Sequence, residues 1–158
     1  MISAPPPHTR VLADLGRALS LELTAVQHYL TLAVLMDLWG DSTSADRFRR
    51  ETVEEMQHAE KIVKRMVSLG VAPGASQLKP AGHATSLPAL LRLSMDLEEE
   101  LVAHYREAVA LCQRLGDVEN QTFFEDLWLE ERQHGEALES WLNGLESTHP
   151  RSLARAAV

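Results

Sequence analysis

The sequence predicts an all-α protein: a four-helix bundle with one long crossover between its second and third helices. Three observations carry that expectation. The seven prolines fall at 5–7, 73, 80, 88 and 150, leaving residues 8–72 and 89–149 free of this helix breaker. Gly40, Gly70, Gly116 and Gly144 each follow a long apolar-periodic run, where a helix-ending glycine belongs. Leu, Ala and Glu are abundant while aromatics make up only 5% of the chain, a balance that favours helix over sheet.

The first helix is expected over residues 9–38, closing at MDLWG. Ser42, Thr43 and Ser44 offer N-caps for a second helix over about 44–69. The segment VAPGASQLKPAGHATS follows and is long enough to run the length of a bundle. Ser86, with Pro88 just inside, opens a third helix over about 87–114. Asp117 opens the fourth, over about 117–143. RSLARAAV after Pro150 has room for a short fifth helix. The short turns at Gly40 and Gly116 make two antiparallel hairpins, and the long link carries the chain from one to the other. The domain plan is a flexible N-terminus over 1–8, one bundle over 9–143, and a short C-terminal helix or tail over 144–158.

A chain of 158 residues suits one domain with a real core. Its net charge of −8 argues against nucleic-acid binding, which needs a basic surface. Cys112 is the single cysteine, so neither an internal disulfide nor a CxxC metal site exists, and it reads as a small buried hydrophobe. MISAPPPHTR lacks the apolar run of a signal peptide, and no stretch reads as a membrane span. These features imply a cytoplasmic protein with no membrane partner.

The chemistry lies in a motif written twice. Residues 50–60 read RETVEEMQHAE and residues 128–136 read WLEERQHGE. Glu55 precedes His58 by three, and Glu131 precedes His134 by three, so each pair shares a helix face. Each motif also has a glutamate one helix upstream. The interval from Glu22 to Glu55 equals the interval from Glu98 to Glu131. A single constant offset therefore carries the first half of the set onto the second. At the rise of an α-helix, all four glutamates then lie about 25 Å from their hairpin turns, level with one another near mid-bundle.

Four buried carboxylates without partners would cost several kcal/mol each. Two divalent cations neutralise them, with the two imidazoles as neutral ligands. One Glu from each of two helices, with Glu-x-x-His from each of the others, is the ligand set of di-iron and di-manganese carboxylate bundles. A lone Glu-x-x-His is ordinarily a solvated face; two copies with matched upstream glutamates are not. Glu54 and Glu130, four before their histidines, also have helical spacing, and the template leaves them outside the inner set. Glu99 and Glu100 flank Glu98, and the internal repeat selects Glu98.

Across about residues 10–143 the chain resembles the bacterioferritins. The resemblance rests on LELTAVQHYL, MDLWG, ETVEEMQHAE, the YREA of the third helix and EERQHGEALESWL. It implies a ferritin-like bundle whose dinuclear ligands fall on Glu22, Glu55, His58, Glu98, Glu131 and His134. Glu55 and Glu131 would bridge the metals, and Glu22 and Glu98 would be terminal. Tyr29 matches the tyrosine beside the site, with packing and redox roles both open. Met56 matches the family's haem ligand, implying haem b between two subunits at a two-fold axis. The resemblance also implies a homo-oligomer, a cage of 24 subunits built from dimers.

Two departures stand out. Arg50 occupies a place where some members carry an iron-binding histidine on the inner wall, and the tail after Gly144 is short. The remaining histidines, His8, His28, His83, His104 and His149, are expected at surfaces or interfaces. Trp39, Trp128 and Trp141 are expected in packing or subunit contacts.

The function this implies is a ferroxidase and iron-storage subunit, taking ferrous ions and either dioxygen or hydrogen peroxide. Two iron ions per subunit are expected, with manganese as the alternative metal and an external electron donor compatible with the chain. A second reading is a small rubrerythrin-like di-iron or di-manganese oxidase or peroxidase without storage. A third is a helical interaction protein with no catalysis.

Overall fold

The computed structural model describes residues 6–148, which form four helices, with no strand among the described residues. They are α1 (Thr9–Leu38), α2 (Ser42–Ser68), α3 (Leu87–Leu115) and α4 (Val118–Thr148). α1 pairs along its length with α2, α3 pairs with α4, and α1 also lies against α3. α2 and α4 meet through long side chains. Phe48 packs on Trp141 at 5.1 Å between ring centroids, and the Arg47 guanidinium sits 4.1 Å above the Trp141 ring.

The hairpin turns are built alike. After α1, Gly40 takes φ +80° and the Asp41 N–H reaches back to the Met36 carbonyl at 2.9 Å. After α3, Gly116 takes φ +66° and the Asp117 N–H reaches the Cys112 carbonyl at 3.0 Å. A residue with a Cβ is strained at these angles, so glycine ends both helices. Each glycine is followed by an aspartate that caps the next helix: Asp41 accepts from the Ser44 N–H at 3.0 Å, and Asp117 from the Asn120 N–H at 3.2 Å. The cap of α2 is therefore Asp41 and not one of Ser42, Thr43 or Ser44. Ser86 caps α3 as expected, accepting from Ala89 with Pro88 in the first turn. α4 runs on to Thr148, so Gly144 lies inside a helix and does not end one. Half-buried Leu145 joins buried Leu142 against the core beyond that glycine and carries the helix onward.

α1 corrects another expectation. By length and apolarity it passes for a membrane-spanning helix, although 56% of its apolar window is buried inside the bundle. Leu15, Leu19, Leu21, Tyr29, Leu32 and Met36 belong to the core of the protein, whereas Leu30 and Leu38 are exposed. His149, the region of the fifth helix and residues 1–5 of the N-terminal segment lie outside the described residues. His8 caps α1 through its Nδ1, which accepts from the Arg10 N–H at 3.2 Å.

The crossover is tied to α1 by a polar stripe. Ser20, Thr24 and His28 stand four residues apart, on one face of the helix. They accept the backbone N–H groups of Gln77, Lys79 and Gly82 at 3.2, 3.2 and 3.1 Å. A Cβ on Gly82 would stand 2.8 Å from His28 Cε1, so the residue must be small. His28 then passes the chain of bonds on. Its Nε2 donates to Ser94 Oγ at 2.9 Å, and Ser94 donates to the Leu90 carbonyl. His104 similarly donates from Nε2 to the Asp14 carbonyl at 2.9 Å. Both histidines are buried, at 3% and 5% exposure, which corrects their expected place at a surface or interface. His83 is exposed. Trp39 is 44% exposed, while Trp128 and Trp141 pack against the core. Cys112 is buried among apolar side chains.

Candidate metal centre

At mid-bundle the apolar core gives way to acids. Glu22, Glu55, Glu98 and Glu131 are each 0–1% exposed, one from each helix. His58 and His134 stand between them with rings nearly parallel, 5.3 Å apart at 22°. His58 Nδ1 lies 2.7 Å from Glu131 Oε1, 3.3 Å from Glu55 Oε2 and 3.7 Å from Glu22 Oε2. His134 Nδ1 lies 2.9 Å from Glu55 Oε1 and 3.4 Å from Glu131 Oε2. Ligand atoms of Glu55, His58, Glu131 and His134 all fall within 4.8 Å of one another. Glu98 completes the set beside Glu55 and Glu131, whose charges act on it. The six residues singled out by the equal intervals of the sequence thus share one place.

Each imidazole turns Nδ1 inward and Nε2 outward. His58 Nε2 meets Glu130 Oε2 at 2.7 Å, and His134 Nε2 meets Glu54 Oε2 at 2.9 Å. These acids belong to the opposite hairpin in each case. A proton held on Nε2 by the outer carboxylate leaves the Nδ1 lone pair for the centre, the usual way a ligating histidine is oriented. Glu54 and Glu130, partly exposed, are therefore the outer partners of the histidines. Glu99 is exposed and Glu100 pairs with Lys79 at 2.5 Å.

The acid–base state follows from burial. Burial raises Glu22 well above the usual carboxylate range, and Glu131 and Glu55 add to the rise against the opposing influence of His58. Glu98 is raised in the same way by burial and by the charges of Glu55 and Glu131. Burial alone would raise Glu131 too, but the imidazoles of His134 and His58 beside its oxygens hold it well below the ordinary value. Burial alone would lower the histidines. The surrounding carboxylates outweigh it, lifting His58 strongly and His134 to about 11. Without cations, protons share the neutralising: both imidazoles hold theirs tightly, and Glu22 and Glu98 are shifted toward the acid form.

Several oxygens are nonetheless left over. Glu22 Oε2, Glu98 Oε2 and both oxygens of Glu131 are buried and accept no hydrogen bond. The Glu131 oxygens lie close to imidazole nitrogens, but not in hydrogen-bonding geometry. Buried polar atoms in native proteins are paired, because an unpaired one costs about 1–3 kcal/mol. Four such atoms around two inward-facing imidazoles suit hard or borderline divalent cations, which take carboxylate and imidazole ligands together.

Two tyrosines complete the site. The Tyr29 hydroxyl donates to Glu98 Oε1 and the Tyr105 hydroxyl donates to Glu22 Oε1. Tyr29 is legible in the sequence as a neighbour of the site. Tyr105 escapes the motif, although it is offset from Tyr29 by the same step that separates Glu98 from Glu22. Burial and the nearby acids push both phenols well above the ordinary tyrosine value. Met56 lies elsewhere, on the outer side of α2, half exposed, as are Val53 on the same helix and Leu30 and Val34 on α1. Arg50 is exposed.

Four helices, one crossover and a buried carboxylate–imidazole cluster at mid-bundle define the ferritin-like class. The Ferritin family model, described as a ferritin-like domain, matches residues 12–148. The bacterioferritin of Rhodobacter capsulatus is 31% identical over 145 residues, covering 92% of this chain and 90% of that protein. The bacterioferritin of Brucella melitensis is 31% identical over 134 residues, covering 85% and 83%. A solved structure of the R. capsulatus protein superposes with a TM-score of 0.87 at 30% identity, over 92% of this chain and 91% of that one. That structure is described as having a metal-free dinuclear site and a heme iron in a crystallographic special position. The chain belongs to the bacterioferritin family.

Proposed function

We propose that the chain is a ferroxidase and iron-storage subunit of the cytoplasm, with ferrous ion as its substrate. Glu22, Glu55, His58, Glu98, Glu131 and His134 would hold two cations, Glu55 and Glu131 between them and Glu22 and Glu98 at the ends. A bound iron pair supplies two electrons, one from each ion, to dioxygen or hydrogen peroxide. The residues do the rest. His58 and His134 would give up their Nδ1 protons as cations enter, and Glu54 and Glu130 keep the imidazoles turned inward. The helices hold the four carboxylates and His58 away from bulk water, with His134 partly open at 14% exposure. The observation that carries this reading is the set of buried carboxylate oxygens with no hydrogen bond.

The exposed apolar residues Leu30, Val34, Val53 and Met56 fit a subunit contact. Met56 would offer its thioether to haem there, and haem would supply one-electron transfer. Storage requires a hollow homo-oligomer, so a particle of hundreds of kilodaltons supports it, whereas a dimer supports the rubrerythrin-like oxidase.

The decisive experiment is anaerobic ferrous titration followed by exposure to dioxygen. Two ferrous ions per subunit should be consumed in a fast phase before slow mineral growth. Glu131→Ala should abolish the fast phase, and an unchanged rate would reject the assignment.

A further inference from the structure

We propose that Tyr29 and Tyr105 are paired positioning residues, each restricting a terminal glutamate to one metal-binding oxygen. The inference rests on the dinuclear reading above and concerns how the terminal carboxylates are presented. Tyr29 stands seven residues after Glu22 on α1, and Tyr105 seven after Glu98 on α3. Seven residues are close to two helical turns, so each tyrosine lies on nearly the same face as the glutamate of its own helix. Neither bonds that glutamate. Each reaches across to the glutamate of the other helix, making two crossed struts between α1 and α3.

The two oxygens of each terminal carboxylate are thereby made unequal. Oε1 of Glu98 and Oε1 of Glu22 each accept a phenol hydrogen bond. Oε2 of each is buried and accepts none. A hydrogen bond to an anionic oxygen is strong and short, occupying a lone-pair direction and withdrawing charge from that atom. The remaining oxygen is the better ligand. Chelation by both oxygens would make Oε1 share its two lone pairs between the phenol and the cation, leaving it the poorer donor of the two.

The phenols are not free to leave. Tyr29 and Tyr105 are fully buried. Tyr29 is stacked 6.2 Å from Phe48, and Tyr105 lies 6.2 Å from Phe124. Phe48 and Phe124 are related by the same sequence offset as the tyrosines, so ring, strut and backing ring are all duplicated. A side chain locked by packing is what holds a ligand to one geometry. Each cation would then take a single oxygen from its terminal glutamate.

Cobalt(II) tests this without turnover, because its visible d–d bands weaken as coordination number rises. The full-length wild-type chain, free of iron, should bind two Co2+ per subunit. Tyr105→Phe keeps the ring and frees Glu22 Oε1, so Glu22 should chelate and the band should fall to roughly half its intensity per bound ion. Tyr29→Phe should do the same through Glu98, and it decides the matter independently if Tyr105→Phe does not fold. Two bound Co2+ with an unchanged spectrum in a folded variant would overturn the proposal, even if that variant melted at lower temperature. Fewer than two Co2+ in the wild type would instead strike at the dinuclear reading beneath it.

Discussion

The hairpin α1–α2 and the hairpin α3–α4 are near-copies at their centre and differ toward their edges. Inside, every group of the first half has a partner at one constant offset: Glu22 and Glu98, Tyr29 and Tyr105, Glu55 and Glu131, His58 and His134. Even the outer carboxylates are exchanged evenly, Glu130 serving His58 and Glu54 serving His134. One layer further out the likeness stops. Glu130 is held by Lys61 at 2.8 Å, while the residue corresponding to Lys61 in the second hairpin is Ala137. His28 accepts from the crossover and donates to Ser94, whereas His104 donates to a carbonyl of α1. A centre for two like cations needs two like half-sites. The crossover, passing on one side only, imposes the difference on what surrounds them.

The sharpest way to break the comparison is at Glu55 and Glu131, the acids proposed to bridge the two cations. Glu55→Ala and Glu131→Ala should each abolish paired cation binding, because each would remove a ligand shared by both ions. Their effects should also be equal. Loading with Zn2+ at about a hundred times its dissociation constant should stabilise the wild type by about 3 kcal/mol for each ion bound. That corresponds to a rise in melting temperature of about 5–10 °C for a chain of this size. Calorimetry should find this increment missing from both variants. Retention in one but not the other would show that the half-sites are unequal where they look most alike.

Protons give the next largest effect. His134 is lifted to about 11, His58 is lifted as well, and Glu22 and Glu98 are well above ordinary carboxylates. At neutral pH the two imidazoles hold protons that entering cations would displace, so a pH-stat should register release of at least about two protons per subunit, and the upward shifts of Glu22 and Glu98 act in the same direction. The sign follows: apparent cation affinity rises with pH and falls in acid. An affinity flat between pH 6 and 8 would contradict the proton count.

Much of this is open to a reader of the sequence alone, for physical reasons. Proline and glycine mark helix ends because they remove a donor or permit positive φ, so all four helices can be placed. Carboxylate spacing reports the site because a helix converts residue number into height and angle. What escapes depends on choices between equivalent groups. Asp41, Ser42, Thr43 and Ser44 can all cap a helix, and the tie of the Asp41 N–H to Met36 starts α2 at once. Gly144 resembles the other helix-ending glycines, but here core contacts continue beyond it. His28 and His104 are off the face of the acids, and only packing shows that other elements cover them. Tyr105 is present in the repeat and needs only the offset that the glutamates already define.

His28 offers a smaller and cleaner contrast. Burial holds it neutral, down to about 4 from 6.5. The folded state therefore refuses a proton that the unfolded chain accepts below pH 6.5. Its contribution is fully present above that pH and lost as pH falls toward 4, amounting to about 3 kcal/mol. His28→Gln should flatten the stability profile of the metal-free protein across that window. His104 is lowered too, but its hydrogen bond to Asp14 and the charge there oppose the effect of burial. His104→Gln should flatten the profile less. Equal flattening would mean that the crossover adds nothing to the environment of His28.

The smallest effect tests the outermost asymmetry. Lys61 and Glu130 are 48% and 37% exposed, so water already solvates much of both charges. Exposed pairs contribute up to about 1 kcal/mol, and Lys61→Ala should change stability by no more than that. Its consequence is more specific than its size. Glu130 would lose the cation that anchors it while keeping His58, becoming like Glu54, whose contact with His134 has no lysine behind it. The outer layer of the two half-sites would then match. If Lys61 tightens one half-site, stepwise Zn2+ binding in the wild type should resolve into two affinities, and Lys61→Ala should bring them together. Two affinities unchanged by the substitution would place the inequality elsewhere, nearest at Glu51, which stands beside Glu54 and His134 with no counterpart acid at Leu127.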